Sequence, residues 1–314
     1  MLRLILTRIG LIVPQLLILS VVVFLMTYLV PGSVGASILG VTATPEGIAQ
    51  IESQLGLDRP MLVRLGEWYA GVLVGDFGTS YVSARPVTEL FAERLPATFS
   101  LLGGGILIAL MLGIAVGVIG GTKAGSVRDR LSTAFSSLSM SVPEFWIGIV
   151  LLLVFSVQMG IFPVVSYVPI DQDPIGWLRG LILPAVSLGI VGAALIARQT
   201  RTAMAETMSA RYVDTLLAAG VSRGRVIRRY ALKNALVSTL SAAGIAVSIM
   251  VGASFAIEKV FAYPGIGSLM LRSVTGKDFA VVQGGVLLIA LIVIIVNLVL
   301  DVSYGIINPK VRAQ

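Results

Sequence analysis

Two carboxylates, Glu144 and Asp301, interrupt long apolar stretches of this 314-residue chain. An acid inside hydrocarbon is costly unless it faces a cavity or a partner, so each reads either as a site or as a hydrogen-bonded helix contact. Glu144 falls about ten residues into its stretch, hence roughly 15 Å deep at 1.5 Å per residue. Asp301 lies near the end of the last stretch and reads as interfacial. What else the chain could do is narrowed by its lack of cysteine and histidine. Thiol nucleophiles, histidine bases, disulfides and histidine–cysteine metal sites are excluded. No G-x-x-x-x-G-K-[ST] run occurs, so nothing here cradles nucleotide phosphates. An ion-coupled secondary transporter is the nearest rival reading, but it would need relays of ionisable groups, and one buried acid with no histidine is a thin supply. An intramembrane protease would need paired aspartates or zinc ligands, which are absent.

The elements that hold these acids are apolar. Hydrophobic residues make up 56% of the chain, charged residues only 12%, and mean hydropathy is +0.96. A soluble domain carries about 25% charged residues. Six runs approach the roughly 20 residues that cross a bilayer as helix: 9–30, 99–121, 134–160, 181–197, 235–256 and 281–304. Backbone groups in lipid must be satisfied within each segment, and no short alternating strands suggest a barrel. The first run follows Arg3 and Arg8 but is about twice as long as a signal-peptide core, so it reads as an uncleaved helix.

Charge sets the orientation. With the N-terminus in the cytoplasm, 15 of the 23 lysines and arginines fall inside, whereas 11 of the 16 acids fall outside. That asymmetry favours N-in and C-in. The net charge of +7 then reflects topology, and no basic stripe with interleaved aromatics speaks for nucleic acid.

The expected fold is an all-α integral membrane protein with six transmembrane helices. An extracytoplasmic cap over 31–98 separates helices 1 and 2, and a cytoplasmic polar segment over 198–234 separates helices 4 and 5. The whole chain reads as one domain. In the cap, Thr44-Pro45-Glu46 suits a helix start, Ile48, Ile51 and Leu55 share a face, and Gly56 suits a stop. Leu62, Leu65, Tyr69 and Val72 mark a second amphipathic helix after Pro60, and residues 75–80 a turn. In helix 2, Gly113, Gly117 and Gly121 form a stripe for close backbone packing. Pro143 and Pro184 suit kinks in helices 3 and 4.

The polar interval 214–236, DTLLAAGVSRGRVIRRYALKNAL, is the most informative stretch. A helix running from Arg198 to about Ala219 should stop at Gly220, which tolerates positive φ, and Ser222 should cap a new helix at Arg223. Arg223, Arg225, Arg228 and Arg229 suit anchoring to anionic headgroups. The bend itself is more elaborate than anchoring requires, and a short helix of this kind can dock into a groove on another protein.

These residues resemble the cytoplasmic coupling loop of ABC-transporter permeases, in which an acidic residue and a glycine frame an alanine-rich bend. Asp214 and Gly220 stand at those positions, with Ser222 following. Thr215 and Leu216 depart from the alanine pair, and Ala219 from a lysine. The stretch from Tyr212-Val213-Asp214 to Asn234-Ala235-Leu236 resembles the dipeptide/oligopeptide permeases in particular, of the first-permease type. So do Met1-Leu2-Arg3, Val30-Pro31-Gly32, Leu55-Gly56-Leu57-Asp58-Arg59-Pro60, Gly75-Asp76-Phe77-Gly78-Thr79-Ser80 and Glu93-Arg94-Leu95-Pro96-Ala97-Thr98. Later matches are Pro143 with Phe145-Trp146-Ile147-Gly148, Leu183-Pro184-Ala185, Glu258-Lys259-Val260-Phe261 with Pro264-Gly265-Ile266-Gly267, and Asn308-Pro309-Lys310-Val311-Arg312.

The resemblance implies a non-catalytic permease subunit of an importer for dipeptides or oligopeptides, in a bacterial or archaeal inner membrane. Nickel complexes, haem or another small solute are alternative cargoes within the same family. Implied partners are a second homologous permease, cytoplasmic ATPase subunits that carry ATP and magnesium, and an extracytoplasmic substrate-binding protein. Coupling would fall to Tyr212, Asp214, Ala218, Ala219, Gly220, Val221 and Ser222. Pro143, Glu144, Phe145 and Trp146 are pathway candidates, with Glu144 positioned to meet a peptide amino group. Glu258, Phe261, Pro264, Gly265 and Gly267 read as a structural loop or as a lid that docks the binding protein. Within that loop, Tyr263-Pro264-Gly265-Ile266 has the composition of a type II turn.

Overall fold

The computed structural model describes every residue except Met1, Pro31, Ser166 and 308–314. The Asn308-Pro309-Lys310-Val311-Arg312 motif therefore lies outside the described residues, as do Pro31 and Met1 of the opening motifs. Asp301 sits on described helical backbone, but its side chain lies outside the description. Among the described residues the chain is helical, with one isolated antiparallel bridge between Thr79 and Pro86. Along it run α1 (Leu2–Leu29), α2 (Val34–Leu39), α3 (Pro45–Gln54), α4 (Met61–Leu73), α5 (Val87–Gly121), α6 (Val127–Ser141) and α7 (Glu144–Leu151). Then follow α8 (Pro174–Met208), α9 (Arg211–Ala218), α10 (Arg223–Arg225), α11 (Leu232–Val260), α12 (Ile266–Thr275) and α13 (Phe279–Ile307). Wider π-turns extend α7 over Leu152–Gln158 and join α10 to α11 over Val226–Ala231.

Among the described residues, five spans are long and apolar enough to cross a membrane: Gly10–Leu29, Val87–Gly121, Pro174–Met208, Arg223–Val260 and Phe279–Val299. A sixth exists if Val127–Ser141 and Glu144–Gln158 count as one, but the chain bends by 97° between them. The expected third helix over 134–160, kinked at Pro143 in the sequence reading, is thus broken there outright. Pro143 disfavours helical backbone in the residue before it, and Val142 is extended at φ −111° and ψ 130°. Glu144 opens α7 instead of lying ten residues inside a helix.

Local signals formed the ends of the cap helices. Thr44 accepts from the Gly47 amide at 3.2 Å, with Pro45 at the first helical position. Gly56 sits at φ +65°, and the Leu57 amide donates to the Glu52 carbonyl at 2.8 Å. In α4 the packed face is Leu65, Trp68, Tyr69 and Val72, while Leu62 is 74% exposed and falls off it.

The sequence reads as one domain; by contacts the chain divides into two compact units. The first comprises Met1–Leu6, Phe99–Tyr263 and Val293–Gln314. Its spine is α8, buried along most of its length between α6, α7 and α11. The expected glycine stripe of α5 packs on this spine. A Cβ at Gly113 would lie 2.8 Å from the Ala193 carbonyl oxygen, at Gly117 2.7 Å from that of Ala197, and at Gly121 2.5 Å from that of Arg201. Only a hydrogen fits at such distances, so backbone meets backbone. Thr200, which also faces Gly117, meets α11 as well: the buried Thr200 and Thr239 hydroxyls lie 2.9 Å apart. Thr239 also donates to the Ala235 carbonyl, which leaves Thr200 as the donor between them.

The second unit comprises Thr7–Thr98 and Pro264–Ile292. Its core gathers Val87, Leu90 and Phe91 of α5 with Ile266, Met270, Ala280 and Val281. Buried Asp278 fastens the 75–86 loop to this core, accepting from the Ser80 hydroxyl and, at 2.9 Å, from the Tyr81 amide. Thr98 caps the start of α12 by accepting from the Ile266 amide at 2.8 Å. Gln283 of α13 donates to the Thr27 hydroxyl of α1 at 3.0 Å.

Candidate functional site

The stretch from Arg198 to Ala219, expected as one helix before the Gly220 turn, is built from two. α8 ends at Met208, Ser209 and Ala210 turn the chain, and α9 starts at Arg211. Its stop is the expected one: Gly220 has φ +80°, its amide donates to the Leu217 carbonyl, and the Val221 amide donates to that of Leu216, both at 3.0 Å. This paired arrangement closes a helix only when the residue after its cap is left-handed, which glycine adopts without strain. Ser222 occupies the cap position of α10, but its side chain makes no capping bond. The Ser222 carbonyl accepts from the Arg225 and Val226 amides instead, so the expected hydroxyl cap is a backbone one.

Two contacts hold α9 to the first unit. Val213 is 1% exposed, and the Tyr212 hydroxyl accepts from Asn234 Nδ2 at 3.2 Å. Beyond the bend, Arg223 Nη2 donates to the Thr122 carbonyl at 3.0 Å. Asp214, Thr215, Leu217, Ala218, Ala219, Gly220 and Ser222 are exposed, and Val221 is half-buried. A helix pinned by one apolar residue, with an apolar and acidic face left open, is suited to a groove on another chain.

Pro143, Glu144, Phe145 and Trp146 cluster at the α6–α7 break. Glu144 is half-buried, whereas Phe145 and Trp146 are exposed. The next turn is packed, with Gly148 set against Phe261, Ile257 and Ser187.

The loop after α11 differs from its sequence reading in two ways. Gly265 has φ −94°, so no type II turn forms; Ala262 takes the left-handed position at φ +50°. There the Tyr263 amide donates to the Glu258 carbonyl at 2.7 Å and closes α11 as Gly220 closes α9. Moreover, Glu258 and Phe261 are wholly buried, and Gly265 and Gly267 are also buried. Their role as a docking surface is corrected to a packing one; Lys259 and Ala262 are the exposed residues of the turn. Tyr263 packs edge-on against Tyr167 at 5.0 Å, and burial raises both phenols above their ordinary range.

Two family models divide the chain between them. Residues 105–313 match the binding-protein-dependent transport system inner membrane component, and residues 1–102 the N-terminal part of such components. The chain belongs to this family. It is 40% identical over 316 residues to a Brucella abortus chain named as a peptide transport system permease protein, covering 99% of each. To the glutathione transport system permease protein of Salmonella typhimurium it is 38% identical over 312 residues, again covering 99% of each. Its fold is that of a chain of the inward-facing MetNI methionine ABC transporter, with a TM-score of 0.58 at 19% identity over 70% of this chain and 97% of that one. The permease is therefore a multi-pass inner-membrane subunit. The family boundary falls inside α5, close to the division of the two units between Thr98 and Phe99.

Sequence reasoning missed what holds the permease's polar segment to its helices. Arg201, grouped with the cytoplasmic arginines, forms a two-pronged pair with Asp129: Nε to Oδ1 at 2.6 Å and Nη2 to Oδ2 at 2.9 Å. Asp129 is 5% exposed and also accepts from the Gly125 amide at 2.8 Å. The signal available was an acid among basic residues on the side expected to be basic. Also missed was Asn297, which donates to Ser248 at 3.5 Å between α13 and α11.

Proposed function

We propose that this chain is one permease of an ATP-driven ABC importer for short peptides, forming half of the translocation pathway by alternating access. The observation that carries the reading is α9: a short helix, closed at Gly220, exposed on its working face and set between the α8 spine and α11. A push on α9 passes at once into the two long helices it joins. The peptide cargo is supported by relatives named for peptide and glutathione transport across the full chain.

On this reading the chain performs no catalysis. Partner ATPases hold ATP and magnesium and dock on Asp214 to Ser222, with Tyr212 steadying the bend. A second homologous permease completes the pathway, and an external binding protein delivers the peptide. The N-terminus and α9 lie on the cytoplasmic side, as the lysine and arginine distribution requires. Pro143, Glu144, Phe145 and Trp146, at the break in the third span, are the pathway residues.

The test is Gly220→Pro in the assembled transporter. Proline cannot adopt φ +80° and removes the amide that donates to Leu217. The variant should insert and assemble, hydrolyse ATP, and lose peptide uptake by tenfold or more in proteoliposomes. Uptake equal to that of the unchanged chain would remove α9 from coupling.

A further inference from the structure

A cleft of about 250 Å³ opens in the second unit, where α1, the end of α3 and α4 meet. Phe24, Trp68 and Tyr81 give it aromatic walls, and Arg59, Arg64, Glu67, Gln54 and Gln283 give it polar ones. Its charges are unevenly compensated. Arg59 Nη1 holds Glu67 Oε1 at 2.8 Å, which cancels that pair. Arg64 is held by neutral groups, donating to the Tyr28 hydroxyl at 3.0 Å and the Leu57 carbonyl at 3.4 Å, with its guanidinium 5.0 Å from the Tyr28 ring centre. Among the described residues no carboxylate forms an ion pair with it. Beside it, Trp68 Nε1 is buried and lacks an acceptor. The cleft therefore presents a guanidinium that no carboxylate neutralises among the described residues.

We propose that this cleft binds a carboxylate group, and specifically the C-terminal carboxylate of a short peptide. The choice of peptide rests on the function proposed above; the carboxylate rests on the cleft alone. A guanidinium fork matches the two oxygens of a carboxylate, and the Trp68 side chain lines the same cleft. Gln54 and Gln283 offer amides to a neighbouring peptide bond. The volume lies just below the ~300 Å³ at which small-molecule pockets begin, which suits the end of a peptide and not a whole folded segment. The cleft would give the permease its own contact with cargo, apart from the binding protein.

The full chain is tested in phosphatidylcholine nanodiscs, with Trp146→Phe and Trp177→Phe leaving Trp68 as the single indole reporter. Titration with trialanine should change Trp68 emission saturably, and trialanine amide should bind at least tenfold more weakly. Arg64→Gln should weaken trialanine binding by a similar factor. Gln54→Glu, at an exposed position on the cleft wall, should do so by repulsion. Equal response to trialanine and its amide, or tighter binding of inorganic phosphate than of trialanine, would overturn the inference. So would a response that both variants leave unchanged. Peptide uptake by the assembled transporter with no response in the cleft would sink this inference alone. Failure of uptake across peptides would strike the proposed function instead.

Discussion

At the scale of single residues, the pair between Asp129 and Arg201 shows why a side chain's number of partners matters more than its charge. Asp129 accepts three hydrogen bonds through two oxygens while almost wholly enclosed. Asp129→Asn keeps the shape but removes the charge, leaving Arg201 unmatched where it is only partly solvated. Losing one partner of an enclosed pair costs about 3 kcal/mol, the lower end of the range, since Arg201 reaches some solvent. Intrinsic tryptophan fluorescence during heating should show a clear fall in the unfolding midpoint. A midpoint unchanged within error would mean that solvent, not Arg201, satisfies Asp129. The sequence marked only the acid, set among basic residues, and not its partner, which lies 72 residues away.

At the scale of elements, backbone chemistry was the most legible part of the chain. Thr44-Pro45, Gly56 and Gly220 each did what their residue types dictate, since caps and left-handed stops depend on a few neighbouring atoms. Ser222 is the exception, and the contrast is measurable. Thr44→Ala should lower stability by about 1 kcal/mol, because a capping oxygen is lost. Ser222→Ala should leave stability unchanged within ~0.3 kcal/mol, because the hydroxyl caps nothing there. Equal losses in chemical denaturation would show that the two serve alike. The 97° break was less legible: Pro143 was visible, but whether a proline kinks a helix or ends it depends on what surrounds it. The glycine seam was plain from its four-residue spacing, though not which helix it would meet. Gly117→Leu should force α5 away from Ala197 and Thr200 and cost about 1–3 kcal/mol or more. Recovery of folded protein from membranes should drop accordingly, and normal yield and midpoint would show that the seam is loose.

At the scale of the whole molecule, composition alone yielded the membrane and the helical class, because hydrocarbon leaves a chain few choices. The sites outside the bend were harder. Glu258 to Gly267 looked like a surface loop because it is rich in turn residues, yet most of it is packed inside. Burial of that kind is decided by distant segments and leaves no local mark. The cysteine-free sequence makes orientation directly measurable. Single cysteines placed at Thr215 and Ala262, both exposed, should react with a membrane-impermeant thiol reagent from opposite sides of sealed vesicles. The Thr215 site should lose reactivity when the ATPases assemble. Labelling of both positions from one side would overturn the proposed topology.

The fork between Asp129 and Arg201 has a mechanical consequence. A single bond lets two helices swivel about it; two nearly parallel bonds in one plane do not. Arg201 sits two turns before α8 gives way to α9, so a twist delivered at the bend reaches α6 as torque and not merely as a tug. Such a joint would let the broken third span rotate with the spine beside it.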